Sequence, residues 1–459
     1  MLKKLIGTKQ FYKMVFVIAI PIIIQNGITN FVSLLDNIMV GRVGLEEMSG
    51  VAIVNQFVFV YNICLFGVIS GAGIFGTQYF GKGDHDGVRH AFRFKVIACV
   101  AVALIGMAIF IFLPEPLINM YLHEGSEDVG DIVKVMEYAK NYMWIMVVGM
   151  LPYAFSQAYS STLRETGQTF VPMLSGIAAV LVNLVFNYLL IFGKFGFPKL
   201  GVYGAAIATV ASRFVELIIL VIWTHANAAK NIFIKGAYKS LHIPASLVKG
   251  IMVKGTPLMM NEMLWALGMA VLNQRYSTRG IDVVSAVNIA SVINNLFNVV
   301  FISLGSAVSI VVGQLLGVGK MKEAKEQDAQ LIAFSVFTCL IMGTGLFAVA
   351  PVFPQIYEAP DSVRALATQF IRISACLMPV GAFAHAAYFT LRSGGKTFIT
   401  FLFDSAFVWV VVIPLAFFLT EYTTLPIVPI YFSCMAIDII KCIVGFILVK
   451  KGIWLQNIT

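Results

Sequence analysis

Charge is scarce in this chain. Asp, Glu, Lys and Arg make up only 12% of its 459 residues, about half their share in an ordinary soluble domain. A surface that must face water on all sides cannot be built from so few charges, and with 59% hydrophobic residues and a mean hydropathy of +0.87 a soluble globular class is excluded. Cysteine is scarce too. Cys64, Cys99, Cys339, Cys376, Cys434 and Cys442 stand singly in apolar runs without CxxC spacing, so neither a disulfide framework nor a zinc site is indicated and they read as core-packing residues. Long polar segments are lacking as well: the longest connection, around His225 to Lys249, has about 25 residues, too few for a soluble catalytic domain with its own core. The start "MLKKLIGTKQFYKM" is basic, but the apolar run behind it is longer than a signal-peptide core and has no small-residue cleavage pattern, so it reads as a retained first span.

What the chain has instead is apolar runs long enough to cross roughly 30 Å of hydrocarbon as helices. Twelve are expected, at 13–38, 52–77, 93–114, 135–160, 168–192, 201–224, 249–275, 285–313, 330–352, 367–389, 398–419 and 426–448. The expectation is an all-α polytopic membrane protein with twelve transmembrane helices. Its net charge of +9 is distributed by topology. Lys3, Lys4, Lys9, Lys13, Lys82, Arg89, Arg93, Lys95 and Arg164, with a like series from Lys230 to Lys451, fall on one side, whereas Glu124, Glu127, Asp128 and Asp131 fall on the other. By the positive-inside rule both termini are expected in the cytoplasm, in a cell (inner) membrane. Nucleic acid is not the partner this charge implies.

The chain also repeats. At an offset of 236 residues Pro21 falls on Pro257, Asn37 on Asn273, Gln78 on Gln314, Gly81 on Gly317 and Gly83 on Gly319. Further on the offset is 228, where "LRETGQTF" from Leu163 matches "LRSGGKTF" from Leu391. Two homologous six-helix lobes follow, 1–225 and 249–459, joined by a cytoplasmic linker at 226–248. Six spans per repeat give both halves the same orientation, the layout of an alternating-access transporter.

The repeat disposes of a competing signal. "GAGIFGTQYFGKGD", residues 71 to 84, has both the GxGxxG spacing of a dinucleotide site and most of a phosphate loop. Its copy, "VGQLLGVGK", loses Gly76 to Val312 and Lys82 to Val318, and a phosphate loop needs a preceding strand and a hydroxyl after its lysine. No nucleotide is expected. What both copies keep is Gln, Gly and Gly at the inner end of a long helix.

Ionisable groups inside spans are costly and are functional candidates by default. Asp36, near the outer end of the first span, has no cation one helical turn away; it is either an interfacial carboxylate satisfied by Arg42 or water, or a carboxylate that takes up and releases a proton or cation. Asn183 and Asn187 share one face of the fifth span, and Thr209 lies on the sixth. Two amides, a hydroxyl and the Asp36 carboxylate form a hard-oxygen set suited to a small alkali cation such as sodium, or the amides are interhelical hydrogen-bond glue. Arg213 with Glu216 and Asp438 with Lys441 look like internally neutralised i, i+3 pairs. Glu262, His385 and Asp404 lack partners on their own helices and are candidates for coupling or substrate contact in the second lobe. Pro21, Pro152, Pro257, Pro379 and Pro414 permit bending. The Met and aromatic residues of "YMWIMVVGM" and "LMPVGAF" are candidates for an adaptable apolar lining.

Together "LLDNIMVGRVG", "QYFGKGD" and "QLLGVGK", "LRETGQT" and "LRSGGKT", and "NLVFNYLLIFG" followed by "GVYGAAIAT" resemble the multidrug and toxic compound extrusion (MATE) family over nearly the whole chain. The resemblance implies a V-shaped pair of lobes and export of amphipathic, mostly cationic compounds in exchange for inward sodium or protons, with no other cofactor. It also implies a first-lobe cation site at Asp36, Asn183, Asn187 and Thr209, and matches Glu262 to a seventh-span acid found in part of the family. Some relatives have Asp where this chain has Asn187, and many carry a tenth-span acid that "GAFAHAAYFTLR" lacks, which leaves the first lobe as the expected cation site. A monomer in the lipid bilayer is expected, and no enzyme. The alternative, a lipid-linked saccharide flippase of the wider superfamily, would call for several unpaired cations in the cavity; Arg213, Lys441 and Arg372 are the deep cations the sequence offers.

Overall fold

In the computed structural model residues 5–121 and 131–459 are described, apart from the side chains of Leu34 and Asn37. Lys3, Lys4, Glu124, Glu127 and Asp128 therefore lie outside the described residues, as does the side chain of Asn37. Every described element is helical. In chain order they are α1 (Lys9–Gly41), α2 (Leu45–Lys82), α3 (His85–Phe112), the short α4 (Pro114–Asn119), α5 (Ile132–Glu165), α6 (Phe170–Phe192), α7 (Val202–Ala226), α8 (Ala245–Ser277), α9 (Ile281–Val318), α10 (Met321–Val349), α11 (Asp361–Ser393), α12 (Thr397–Glu421) and α13 (Ile427–Lys451). Each expected span falls on one of these helices. Several run well past their apolar stretch, as α10 does through "MKEAKEQDAQ", because backbone hydrogen bonding continues where hydrophobicity has stopped.

Ten of the described helices are long and apolar enough to cross a membrane. The chain is thus a polytopic helical membrane protein. Of the twelve expected spans, those on α5 and α8 fall outside the ten: these helices have the length, but α5 carries Lys134, Glu137 and Lys140 in its first turns and α8 carries Lys249, Lys254, Asn261 and Glu262. Asp131 caps the start of α5 by accepting from the Val133 amide at 3.0 Å. Pro21, Pro152, Pro257 and Pro379 lie inside helices. Pro414 follows two π-helical turns in α12, Leu402–Ala406 and Val408–Val412.

The helices pack into two compact units. One comprises Ile24–Gly76 and His85–Ile251. Its core gathers Val54, Leu65, Cys99, Met143, Met150 and Ala206, so the methionines of "YMWIMVVGM" belong to the core, where Met146 and Met150 also line a small pocket beside Tyr153. Beneath that core Lys95, wholly buried, donates to both Glu165 carboxylate oxygens at 2.6 and 2.5 Å and to Thr162 at 3.1 Å. A Cβ at Gly73 or Gly76 would overlap that carboxylate, which is the physical reason for the last two glycines of "GAGIFG". The segment after α7 is docked onto α3: Arg93 donates to the carbonyls of Gly236, Ala237 and His242, and Arg89 to that of Phe233.

The other unit comprises Met1–Ile23, Thr77–Asp84 and Met252–Thr459, with a core around Ala286, Phe370, Ile371, Ala416 and Ile430. Here the two Gln-x-x-Gly motifs meet reciprocally. Gly81 lies so close to the backbone carbonyl of Gln314, and Gly317 to that of Gln78, that neither has room for a Cβ. Only the second glycine of each motif makes the turn, Gly83 at φ 77° and Gly319 at φ 81°. Gln78, fully buried, also accepts from the Ile458 amide at 2.8 Å and donates to the Ser393 carbonyl at 3.0 Å, tying down the C-terminal segment. The cysteines are free; five are buried or half-buried in packing positions of both units, but Cys376 is exposed.

Candidate ion and substrate site

The pair Asn183 and Asn187 is one helical turn apart on α6. That helix stops at Gly193, left-handed at φ 65°, and the chain returns within nine residues as α7. The two helices then pack without a gap, since a Cβ on Gly204 of α7 would run into the backbone of Leu190. This close approach sets Thr209 opposite Asn183, whose amide donates to the Thr209 hydroxyl at 3.2 Å. Asn187, 1% exposed, donates to Asn183 Oδ1 at 3.2 Å and to the Asp36 carboxylate on α1. The four residues expected from sequence are therefore one hydrogen-bonded chain across three helices. Asn187 Oδ1 is buried and accepts no hydrogen bond. Together with Asp36, Asn183 and Thr209 it completes an oxygen-only donor set, a fit for a hard monovalent cation.

Asp36, Asn183 and Thr209 face a polar cavity of about 320 Å³, within the lower range of small-ligand pockets. The cavity is also lined by Gln25, Arg164, Arg213 and Glu216. Arg164 donates to Gln25 Oε1 at 2.7 Å. Arg213 reaches Glu216 only at 3.9 Å and lies with its guanidinium 4.0 Å from the Tyr153 ring centroid. The expected neutral i, i+3 pair is thus a loose contact, and the tighter partner of Arg213 is an aromatic face.

In the other unit the sequence candidates lie around Asp404 and Tyr388. Lys441 donates to Asp404 at 3.0 Å and stands 3.8 Å from Asp438. Its principal partner is therefore not the neighbour on its own helix but a carboxylate on α12. Asn261 donates to the second Asp404 oxygen at 3.1 Å and holds Ser405 through that residue's amide and hydroxyl. Glu262 is half-buried beside Asn261 and Tyr388. His385 lies in an aromatic cage of Phe301, Tyr388 and Phe389, and its Nε2 has no hydrogen-bond partner.

Several functional residues were not foreseen. Lys95 and Arg164 looked like cytoplasmic surface charges, yet the first is buried in an ion pair and the second lines the cavity. Arg372, expected to be deep, is exposed and lies over the Phe347 ring. The only sequence signal for Arg164 is its adjacency to Glu165 at the end of a span; nothing in one helix announces Gln25 as its acceptor.

A many-spanned helical protein with an intramembrane carboxylate beside a polar cavity is a secondary transporter by class. The family model described as MatE matches residues 21–189 and 257–418, well over half of the sequence. The chain belongs to this family of multidrug transporters, cation-coupled efflux antiporters and not enzymes. It is 23% identical over 438 residues to a probable multidrug resistance protein NorM of Thermotoga maritima, covering 95% of this chain and 92% of that one. It is 26% identical to a NorM of Bacillus cereus so named, covering 90% and 89%. Its fold matches the outward-facing conformation of a multidrug resistance MATE family transporter of the MOP superfamily with a TM-score of 0.86 at 18% identity, covering 98% of this chain and 97% of that one.

Proposed function

We propose that this transporter exports amphipathic, mostly cationic organic compounds by alternating access, and that the inward-moving cation, sodium or a proton, binds at Asp36 with Asn183, Asn187 and Thr209. The observation that carries the reading is the hydrogen-bonded chain from Thr209 to Asp36 beside a polar cavity. Sodium would take the oxygens of all four residues; a proton would need only the carboxylate. Either neutralises Asp36 and removes the anionic pole a cationic drug uses, so the two ligands oppose one another through a shared state of α1, α6 and α7. Such linkage is reciprocal and typically worth about 1–3 kcal/mol.

In this reading twelve spans form two six-helix lobes, 1–225 and 249–459, arranged in a V and joined by a cytoplasmic segment at 226–248. Both termini lie in the cytoplasm, the protein acts as a monomer in the inner membrane, and α5 and α8 span with their polar faces turned away from lipid. Glu262, His385 and Asp404 contribute to coupling or substrate contact in the second lobe. The test is drug efflux from proteoliposomes under imposed sodium or proton gradients. Asp36→Asn should abolish the gradient-dependent component; full gradient-driven efflux by this variant would sink the assignment.

A further inference from the structure

Gln78 sits at the inner end of α2, in the first repeat, yet its side chain is bonded to the second. Its amide donates to the carbonyls of Ser393 at 3.0 Å and Gln456 at 3.2 Å, and its Oε1 accepts from the Ile458 amide at 2.8 Å. Asn457 donates to the Gly317 carbonyl, in the other Gln-x-x-Gly motif, at 3.1 Å. The segment after α13 thus straddles the crossing of α2 and α9, where Gly81 and Gly317 each meet the opposite backbone. Its near end is anchored. Trp454 is wholly buried, donates from Nε1 to the Val449 carbonyl at 3.1 Å, and sets its own carbonyl so close to Gly394 that no Cβ would fit there. Gln456 and Asn457 beyond it are exposed, so this end can peel away while the anchor stays packed.

We propose that residues 455–459 are a latch that holds the inner ends of α2 and α9 together, so that the protein opens on that side only when Gln78 releases the segment. The proposal rests on the alternating-access reading above and adds an element that biases its two states. In that reading helices of the first repeat part from those of the second at their inner ends. Trp454 and Gly394 fix the segment to the inner ends of α13 and α11, so it travels with the second repeat and grips the first through Gln78. Three partners are held by one side chain that has no exposure to water, and all three are lost together when α2 moves. A carboxamide suits the place because it supplies two donors and an acceptor; a carboxylate could not donate and an ammonium could not accept.

The reporter is Thr77, 4% exposed, whose side chain fills the space beside Gly313 of α9; a thiol there meets reagent only after α2 and α9 part. Thr77→Cys in proteoliposomes, with an impermeant maleimide on both faces, should label slowly at position 77, read by peptide mass spectrometry. Deletion of Gln456–Thr459, or Gln78→Ala, should raise that rate about tenfold, the scale of one to two neutral hydrogen bonds. Asn457→Ala, an exposed change that removes only the bond to Gly317, should raise it about threefold. Cys339, wholly buried in the same unit, should stay unlabelled throughout. Unchanged labelling at position 77 would overturn the latch while leaving the export reading in place, and so would a parallel rise at Cys339, which marks general loosening. If the unmodified protein moves no drug under any gradient, the export reading falls and takes the gating role of the segment with it.

Discussion

The two sequence repeats share a scaffold and differ in what they place on it. At the repeat offsets Asp36 of the first half falls on Leu272, Asn183 on Val411 and Asn187 on Leu415. The oxygen set is therefore single. Conversely Gly176 falls on Asp404, where the second half places its own acid. Side-chain size explains how both fit: Gln25 fills the space where a Cβ on Gly176 would sit, whereas its counterpart Asn261 is one methylene shorter and leaves room for Asp404, to which it donates. Arg213 falls on Lys441, and the balance around the two cations is opposite. Arg213 meets a single carboxylate, Glu216, at 3.9 Å in the first repeat; one ammonium stands between two carboxylates in the second.

The comparison is broken most directly by neutralising one acid at a time. Asp36→Asn should lower gradient-driven efflux by about tenfold or more, in the range of known coupling factors. Asp404→Asn, which leaves Lys441 with Asp438, should cost less than about threefold, with Glu262→Gln as the second probe of that unit; equal losses at Asp36 and Asp404 would erase the functional contrast. A second test compares buried polar pairs at the inner ends. Thr162, which accepts from Lys95, falls on Thr390, which donates to Asp328, so the two repeats bury charges of opposite sign against the same hydroxyl. Lys95→Met strands Glu165 and should destabilise the protein in detergent by about 3–5 kcal/mol, read as a fall in Tm, whereas Asp328→Asn should cost about 1 kcal/mol or less.

Two smaller effects test the symmetry itself. Gly81→Ala and Gly317→Ala press a methyl group onto the reciprocal carbonyl contacts and should each cost about 1–3 kcal/mol. Their effects should be alike, and a large difference in Tm between them would show that the contact is not reciprocal. Gly83→Ala and Gly319→Ala strain only a left-handed turn and should cost about 1–2 kcal/mol each at most, with transport intact when assayed in the same vesicles.

Much of this was legible in the residues alone. Helix existence followed from apolar runs, since a lipid-facing backbone has no other way to satisfy its hydrogen bonds. The Asp36, Asn183, Asn187 and Thr209 set was legible because polar groups are rare inside spans and two of the four recur one turn apart. Periodicity within a helix, however, says nothing about which faces of separate helices meet. It therefore paired Lys441 with Asp438, although the nearer carboxylate, Asp404, is 37 residues away in sequence. It also left Lys95 on a cytoplasmic surface, although Glu165 lies 70 residues further on.

Sequence by itself determined the class, the repeat and the family, because these depend on composition and order along the chain. Tertiary structure alone decided which charges are paired, which line the cavity and why Gly73 and Gly76 are glycines, because helix rotation and the close approach of neighbouring helices set those contacts. The stretch that imitates a phosphate loop is the instance that joins the two: its doubling was written in the sequence, while its purpose, room for the Glu165 carboxylate and for a backbone carbonyl, exists only once the helices have packed.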